Sequence, residues 1–213
     1  MSVTRQRRIA ADGFDPEELA RRVAARPRLL PAVLDGLGAG EARVRYGCLK
    51  VLRLLSERRP SVLYPAFDRI AGLMDSPRNI LRWGGILIVG NLAAVDRDGR
   101  TDALLERYLR PIRGPELVPA ANAIAGAAKM ALARPHLADR ILAALLRVER
   151  TDYETPECRN VALAQVLKAL GRMPAGVRNR RSVVAFARRQ LDNPRGSVRS
   201  GARKLLRRQG VMP

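Results

Sequence analysis

The chain has 213 residues and carries 40 lysines and arginines against 20 acidic residues, which gives a formal net charge of +20 at pH 7. An apolar fraction of 47% indicates a folded globular protein and excludes a wholly disordered chain. Two cysteines and one histidine are too few for a disulfide framework or for an ordinary four-ligand zinc site within the chain.

Long apolar segments are missing from the sequence. The longest run of aliphatic residues and glycine, 84–90, has seven residues, whereas a helix needs roughly 20 residues to cross a bilayer. The N-terminal stretch has basic residues with no apolar segment behind them, so we expect neither a signal peptide nor a membrane span. We therefore expect a cytoplasmic protein, and the residue types present suggest no cofactor and no metal.

Helical signals follow one another along the chain. Asp15 and Pro16, followed by two glutamates, predict an N-cap, a first-turn proline and an acidic first turn for a leading helix. Five helix pairs follow, and the first helix of each is predicted over 28–37, 61–74, 101–110, 136–148 and 179–191. The second helix of each pair is predicted over 41–56, 78–95, 116–133, 157–172 and 194–209, the last opening at Asn193 and Pro194. No alternating strand pattern competes, so the sequence predicts an all-α protein.

A repeat with a period of about 38 residues organises these helices. Each clear copy has an aspartate and a following arginine, and the pairs are Asp35–Arg45, Asp75–Arg82, Asp152–Arg159 and Asp192–Arg199. The arginines are spaced by 37, 77 and 40 residues, so a degenerate copy lies in the middle gap, with Pro119 at the arginine position. We expect one domain over 1–213, with an N-terminal arm and helix over 1–27 and copies over 28–59, 60–98, 99–134, 135–174 and 175–210.

These copies resemble HEAT repeats, in which an apolar first helix, a turn carrying Asp and a Val-Arg step lead into an Ala-rich second helix. The resemblance covers 28–209, and its best matches are Asp75 and Arg82 with Trp83, Gly85, Leu87, Gly90 and Asn91, and Asp192 and Arg199 with Ala202 and Leu205. It implies an armadillo-type solenoid, a right-handed superhelix of about five helix pairs with the second helices on the concave side. It also implies a hydrogen-bonded ladder between the aspartates and arginines of neighbouring copies, since a buried arginine must be paired.

Small residues stand three positions after the repeat arginines, at Cys48, Gly85, Ala162 and Ala202. We expect them to let the two helices of a pair approach closely. In the third copy, Pro119 removes a backbone donor near the start of the second helix. A change of curvature is therefore expected at that copy.

No segment has the pattern of a catalytic, phosphate-binding or metal-binding motif. Gly84 and Gly85 are not followed by the Lys-Ser/Thr that holds nucleotide phosphates, so we interpret them as helix-contact glycines. His136 is interpreted as a surface residue at a helix start. The loop 96–102 resembles half of a calcium loop, but it lacks the later oxygen ligands and the closing glutamate, which excludes it as a metal site.

The positive charge is concentrated near the C-terminus, because residues 172–213 contain 12 basic residues and one acidic residue. We call this region the basic cap, and its candidate binding residues are Arg178, Arg180, Arg181, Arg188, Arg189, Arg195, Arg203, Arg207 and Arg208. Together with Arg199, three of them form a stripe at intervals of four on the last predicted helix. Two interpretations stay open: a polar end that keeps a repeat protein in solution, and a phosphate-binding surface.

The sequence favours a non-catalytic interaction scaffold, whose concave face and basic cap bind an acidic protein or the backbone of a nucleic acid. The alternative is a DNA-repair enzyme similar to bacterial alkylpurine glycosylases, which are built of HEAT-like helix pairs and use aromatic side chains with an Asp and an Arg to stabilise a cationic sugar. Against it, Trp83 is followed four residues later by Leu87, where a carboxylate would be needed. A third hypothesis, a bilin-lyase-type repeat protein, rests on repeat similarity alone.

Overall fold

The structure, a computed structural model, describes residues 14–173 and 179–211. These residues form helices joined by short turns and none of them lies in a β-strand, which confirms the predicted all-α class for this part of the chain. The chain divides into two units, Met1–Asp96 and Arg97–Pro213, close to the boundary predicted between the second and third copies. The helices and the packing of each unit are given separately below.

The described residues of the first unit form six α-helices. They are α1 (Pro16–Ala25), α2 (Leu30–Gly36), α3 (Ala42–Arg58), α4 (Pro60–Leu63), α5 (Phe67–Gly72) and α6 (Asn79–Leu92). Short 3-10 segments join or extend them at Pro27–Leu29, Tyr64–Ala66, Leu73–Asp75 and Ala93–Val95. The predicted helices of this unit are confirmed, but the one over 61–74 is broken at Tyr64–Ala66. Pro65 lies in this break and has no backbone N–H, so it cannot continue the α-helical hydrogen bonds.

The described residues of the second unit also form six α-helices. They are α7 (Arg100–Leu109), α8 (Leu117–Ala133), α9 (Ala138–Leu146), α10 (Pro156–Leu170), α11 (Arg180–Arg189) and α12 (Gly196–Arg208). Segments of 3-10 helix flank them at Arg110–Arg113, Pro135–Leu137 and Arg147–Arg150. The predicted helices of this unit are therefore present, with ends displaced by a few residues.

The two helix starts that contain an Asx-Pro step differ. At α1 the prediction is confirmed, because the Asp15 carboxylate accepts a hydrogen bond from the Glu17 backbone N–H at 2.9 Å. At α12 the prediction is wrong by two residues, because Pro194 lies in the turn before the helix. The Asn193 side-chain oxygen accepts from the Arg195 backbone N–H at 3.0 Å, and α12 begins only at Gly196.

Each unit has its own apolar core. In the first unit α3 packs against both α1 and α6, and side chains such as Leu52, Ile70 and Ile86 are almost fully buried. In the second unit α10 packs against both α8 and α12, and the largest buried side chains include Tyr108 and Phe186. Removal of these apolar groups from water supplies the main stabilisation of each unit.

Small residues do permit close approaches within helix pairs. A Cβ added at Gly85 of α6 would lie 2.7 Å from the Leu73 Cβ and 3.1 Å from the Leu73 carbonyl carbon. A Cβ added at Gly36 of α2 would collide with the Cys48 Sγ of α3. Burial raises the pKa of Cys48 to about 11, so its thiol stays protonated and packs as a small apolar side chain.

We predict that Gly85→Ala destabilises the protein by about 1–3 kcal/mol, because the new methyl group must displace the Leu73 backbone. The matched control is Gly72→Ala, since a Cβ at Gly72 has nothing within 4 Å. Urea denaturation monitored by circular dichroism measures both variants. A Gly85→Ala variant as stable as Gly72→Ala would contradict the close helix contact.

Candidate functional site

The four repeat arginines occupy one structural position. Arg45, Arg82, Arg159 and Arg199 are each the fourth residue of a second helix, and each backbone N–H donates to the carbonyl of the residue before that helix. In α8 the residue at this position is Ala120, which donates to the Glu116 carbonyl in the same way. The third copy therefore has the fully buried Ala120 at the arginine position, and Pro119 is one residue earlier.

Two of these arginines bind the turn that precedes their helix. The Arg45 Nη1 donates to the carbonyls of Ala39 and Gly40 at 2.7 and 2.5 Å. The Arg199 Nη1 donates to the carbonyls of Asn193 and Pro194, both at 2.8 Å. In both cases the accepting carbonyls lie five and six residues before the arginine. The two guanidinium groups therefore stabilise the turn between the helices of a pair in the same way.

At Arg45 and Arg199 these contacts differ from the expected aspartate–arginine ladder. Arg45 and Arg199 bond to turn carbonyls and not to aspartates, because those carbonyls have no helical donor and lie within reach of the guanidinium. Asp35 instead accepts from Arg69 at 2.7 Å. Asp152 and Asp192 are exposed, and neither side chain has a partner among the described residues.

The other two repeat arginines have different surroundings. The Arg82 Nη2 donates to the Asn79 side-chain oxygen at 3.0 Å, within the first turn of α6. The Arg159 guanidinium makes no hydrogen bond or ion pair within the described part of the chain. A different hydrogen bond stabilises the turn before Arg159, because the Tyr153 hydroxyl donates to the Ile112 carbonyl at 2.9 Å.

Arginine–carboxylate pairs occur at a spacing close to one repeat, a feature that the sequence analysis missed. The carboxylate always comes first, and the pairs are Glu17–Arg58, Asp35–Arg69, Asp102–Arg134, Glu106–Arg140, Glu149–Arg189 and Glu157–Arg195. Their separations lie between 32 and 41 residues. An acidic residue followed by an arginine one period later was the sequence signal for these pairs.

Asp102 is the most strongly perturbed carboxylate of this set. Hydrogen bonds from Arg134 lower the pKa of Asp102 to about 2, with a smaller contribution from His136 and an opposing effect of burial. The His136 Nε2 lies 2.6 Å from the Asp102 Oδ2, and the imidazole is about half exposed. His136 is therefore a surface residue next to a helix start, as expected from the sequence, but with an ionic partner.

Part of the predicted basic cap is already neutralised. Arg189 forms a two-point ion pair with Glu149 at 3.0 and 2.8 Å, and Arg195 is paired with Glu157. Arg180 donates to the Gln209 carbonyl. Arg178 lies outside the described residues. The members of the cap that are exposed and have no partner within the described residues are Arg181, Arg188, Arg203 and Arg208, to which the structure adds Lys204.

The exposed side of α12 is cationic over the C-terminal half of the helix. Its buried side consists of Val198, Ala202, Leu205 and Leu206, which pack into the core of the second unit. The exposed surface towards the C-terminal end of the helix carries Arg203, Lys204, Arg207 and Arg208. We call these four residues the α12 basic face.

The indole N–H of Trp83 is not bonded to a carboxylate within the described residues. Its Nε1 atom is buried and has no hydrogen-bond partner there. Within the described ranges there is also no group of three or more His, Cys, Asp or Glu side chains that could hold a metal ion. None of the described helices is long and apolar enough to cross a membrane, as expected from the sequence.

The chain matches no protein-family model, and none of the curated proteins matches it. Function is therefore inferred from the residues of the chain and their geometry.

We predict that Arg199→Gln destabilises the protein by about 1–2 kcal/mol, because two charge-assisted hydrogen bonds to turn carbonyls are lost. The matched control is Arg159→Gln at the equivalent helix position, which has no such bonds to lose and is expected to change the stability by less than about 0.5 kcal/mol. Urea unfolding midpoints compare the two variants. Equal losses would show that the carbonyl contacts do not hold the turn.

Proposed function

We propose that the chain is a non-catalytic HEAT-repeat interaction scaffold, a right-handed solenoid whose basic cap binds a polyanion, either an acidic protein or the backbone of a nucleic acid. The observation that carries this proposal is the α12 basic face. Six arginines are bonded to carboxylates about one repeat earlier, whereas Arg203, Lys204 and Arg208 have no partner within the described residues. A cluster of exposed like charges is costly unless a counter-charge is supplied from outside.

The chemistry of the face suits phosphate or carboxylate groups. Three of its four cations are arginines, and a guanidinium offers two parallel N–H groups to one oxyanion. Residues four apart on a helix, such as Arg203 and Arg207, are separated by about 6 Å along the axis. Successive anionic groups of an extended polymer can therefore be contacted by successive turns of α12.

Recognition of individual bases has no support in this part of the chain. Phe186 is the only aromatic residue after Tyr153, and its side chain is fully buried. It cannot stack on a base, which is the usual means of holding single-stranded nucleic acids. If the partner is a nucleic acid, the proposal therefore implies backbone contacts, a strong dependence on salt and little dependence on sequence.

We predict that the triple variant Arg203→Glu, Lys204→Glu and Arg208→Glu binds polyanions at least about tenfold more weakly. The slope of log K against log salt is expected to fall by about two to three, roughly one for each lost phosphate contact. Fluorescence anisotropy with a mixed-sequence DNA duplex and with poly-glutamate, over a series of KCl concentrations, measures both quantities. Tighter binding of the duplex would assign a nucleic acid, and tighter binding of poly-glutamate an acidic protein.

The matched control carries the same change in charge at the other end of the chain. It replaces Arg22, Arg26 and Arg28 by glutamate, since these arginines are exposed and have no partner in the described residues. We expect this control to keep most of the affinity and the salt slope. Equal losses in the two variants would show that net charge alone governs binding and would contradict a site on α12.

A further inference from the structure

A depression of about 520 Å³ opens in the second unit, at a place to which no function has been given above. It lies among the end of the 3-10 segment Arg147–Arg150, the first turns of α10 and the turn that follows α11. Three cationic side chains line it, namely Arg150, Arg159 and Arg189. Its volume is in the range of sites for small molecules.

Gln190 also lines this depression, and one end of its side-chain amide is bonded to Asn193. The residue is buried, at 6% relative exposure, and the orientation of its side-chain amide follows from its neighbours. The Asn193 Oδ1 accepts from the backbone N–H of Arg195 at 3.0 Å, so the other end of the Asn193 amide must be the NH₂ group. That NH₂ group donates to the Gln190 Oε1 at 3.2 Å, which leaves the Gln190 Nε2 as the free end.

The free end of Gln190 is unsatisfied within the protein. No residue of the described chain accepts a hydrogen bond from the Gln190 Nε2, although the rest of the side chain is buried. The same Asn193 NH₂ group also donates to the Asn160 Oδ1 at 3.1 Å, so the amide network is held in one arrangement. The Gln190 Nε2 is not one of the buried polar atoms without a partner, so it is accessible at the surface, where water or a ligand can accept its hydrogen bond.

Two of the three cationic side chains around the depression have no partner within the described residues. Arg150 and Arg159 have no hydrogen bond or ion pair within the described ranges. The carboxylate at the edge is already engaged, because the Glu149 Oε1 and Oε2 both accept from Arg189. The lining therefore has a net positive charge, and its unpaired hydrogen-bonding groups are donors.

We propose that this depression binds the phosphate group of a small phosphomonoester. A phosphate dianion has three terminal oxygens, which matches the three unpaired donor groups of Arg150, Arg159 and Gln190. The side chain of Leu163 supplies an apolar wall for the remainder of the ligand. This inference goes beyond the polyanion-binding face, since it concerns other residues and a ligand that fits within a cavity.

The test titrates the full chain with inorganic phosphate and with glycerol phosphate, and acetate is the carboxylate comparison. Isothermal calorimetry measures the affinity, and the ¹⁵N–¹H signal of the Gln190 side-chain amide reports the site. We expect saturable binding of glycerol phosphate, weaker binding of phosphate, and a shift of the Gln190 signal. Two results would overturn the proposal. One is a glycerol phosphate titration that does not saturate at about 10 mM, which corresponds to a very weak site. The other is tighter binding of acetate than of glycerol phosphate.

Substitutions decide whether the binding belongs to this depression. Arg159→Gln and Arg150→Gln remove unbonded side chains, so both variants should fold, and each is expected to weaken binding about tenfold or more. Gln190→Met is a further variant, with its thermal midpoint measured as a check on folding. The matched control is Arg22→Gln, an exposed arginine with no partner among the described residues that lies outside the basic cap and does not line the depression. Unchanged affinity in both arginine variants of the depression would overturn the proposal.

The outcome is independent of the polyanion proposal. The variant with glutamates at Arg203, Lys204 and Arg208 should still bind glycerol phosphate, because none of these residues lines the depression. Arg159→Gln should still bind the duplex or poly-glutamate. If the α12 variant loses phosphate binding while Arg159→Gln keeps it, the small anion binds on the α12 basic face and the depression is not its site.

Discussion

Hydrogen bonds and ion pairs between side chains about one repeat apart fix how the helices of each unit lie against each other. Burial of apolar side chains stabilises the helices but is not directional, so it does not choose one register by itself. The Asn91 amide donates to the buried Ser56 hydroxyl at 2.8 Å in the first unit, and Asn193 and Asn160 are joined in the second. Together with the arginine–carboxylate pairs, these directional bonds are lost if a helix shifts by one turn.

This pairing divides the arginines by function. Where a carboxylate or a turn carbonyl stands at the right distance, as for Arg69 and Arg45, the guanidinium is part of the fold. The last two helices carry eight arginines, whereas α9 and α10, one repeat earlier, carry only the acidic residues Asp139 and Glu157. Unpaired cations therefore remain on the surface of α12, and Arg159 of α10 is unpaired in the depression that it lines; both are places where we propose that an external anion binds.

The sequence predicted the helices well, because prolines and apolar spacing act locally. It also placed Arg45, Arg82, Arg159 and Arg199 at equivalent positions. Their partners could not be predicted, since the distance from a guanidinium to a turn carbonyl depends on the path of the turn. The pair Asp35–Arg69 was accessible from spacing alone, as it is 34 residues apart, the same as Glu106–Arg140. The depression could not be predicted from spacing, because the orientation of the Gln190 amide depends on a hydrogen bond made by Asn193.

The central claim is that arginines are bonded to carboxylates about one repeat earlier, and the ionisation of Asp102 tests it most directly. A ¹³C NMR titration of the Asp102 carboxyl carbon measures its pKa in the folded chain. With Arg134 in place the pKa is lowered to about 2, so the carboxylate should remain ionised at pH 3. The Asp102–Arg134 pair then stabilises the folded state at pH values above the pKa that Asp102 has in the unfolded chain. This stabilisation is lost as the pH falls towards 2. A midpoint at or above about 4, the ordinary value for aspartate, would contradict the pairing.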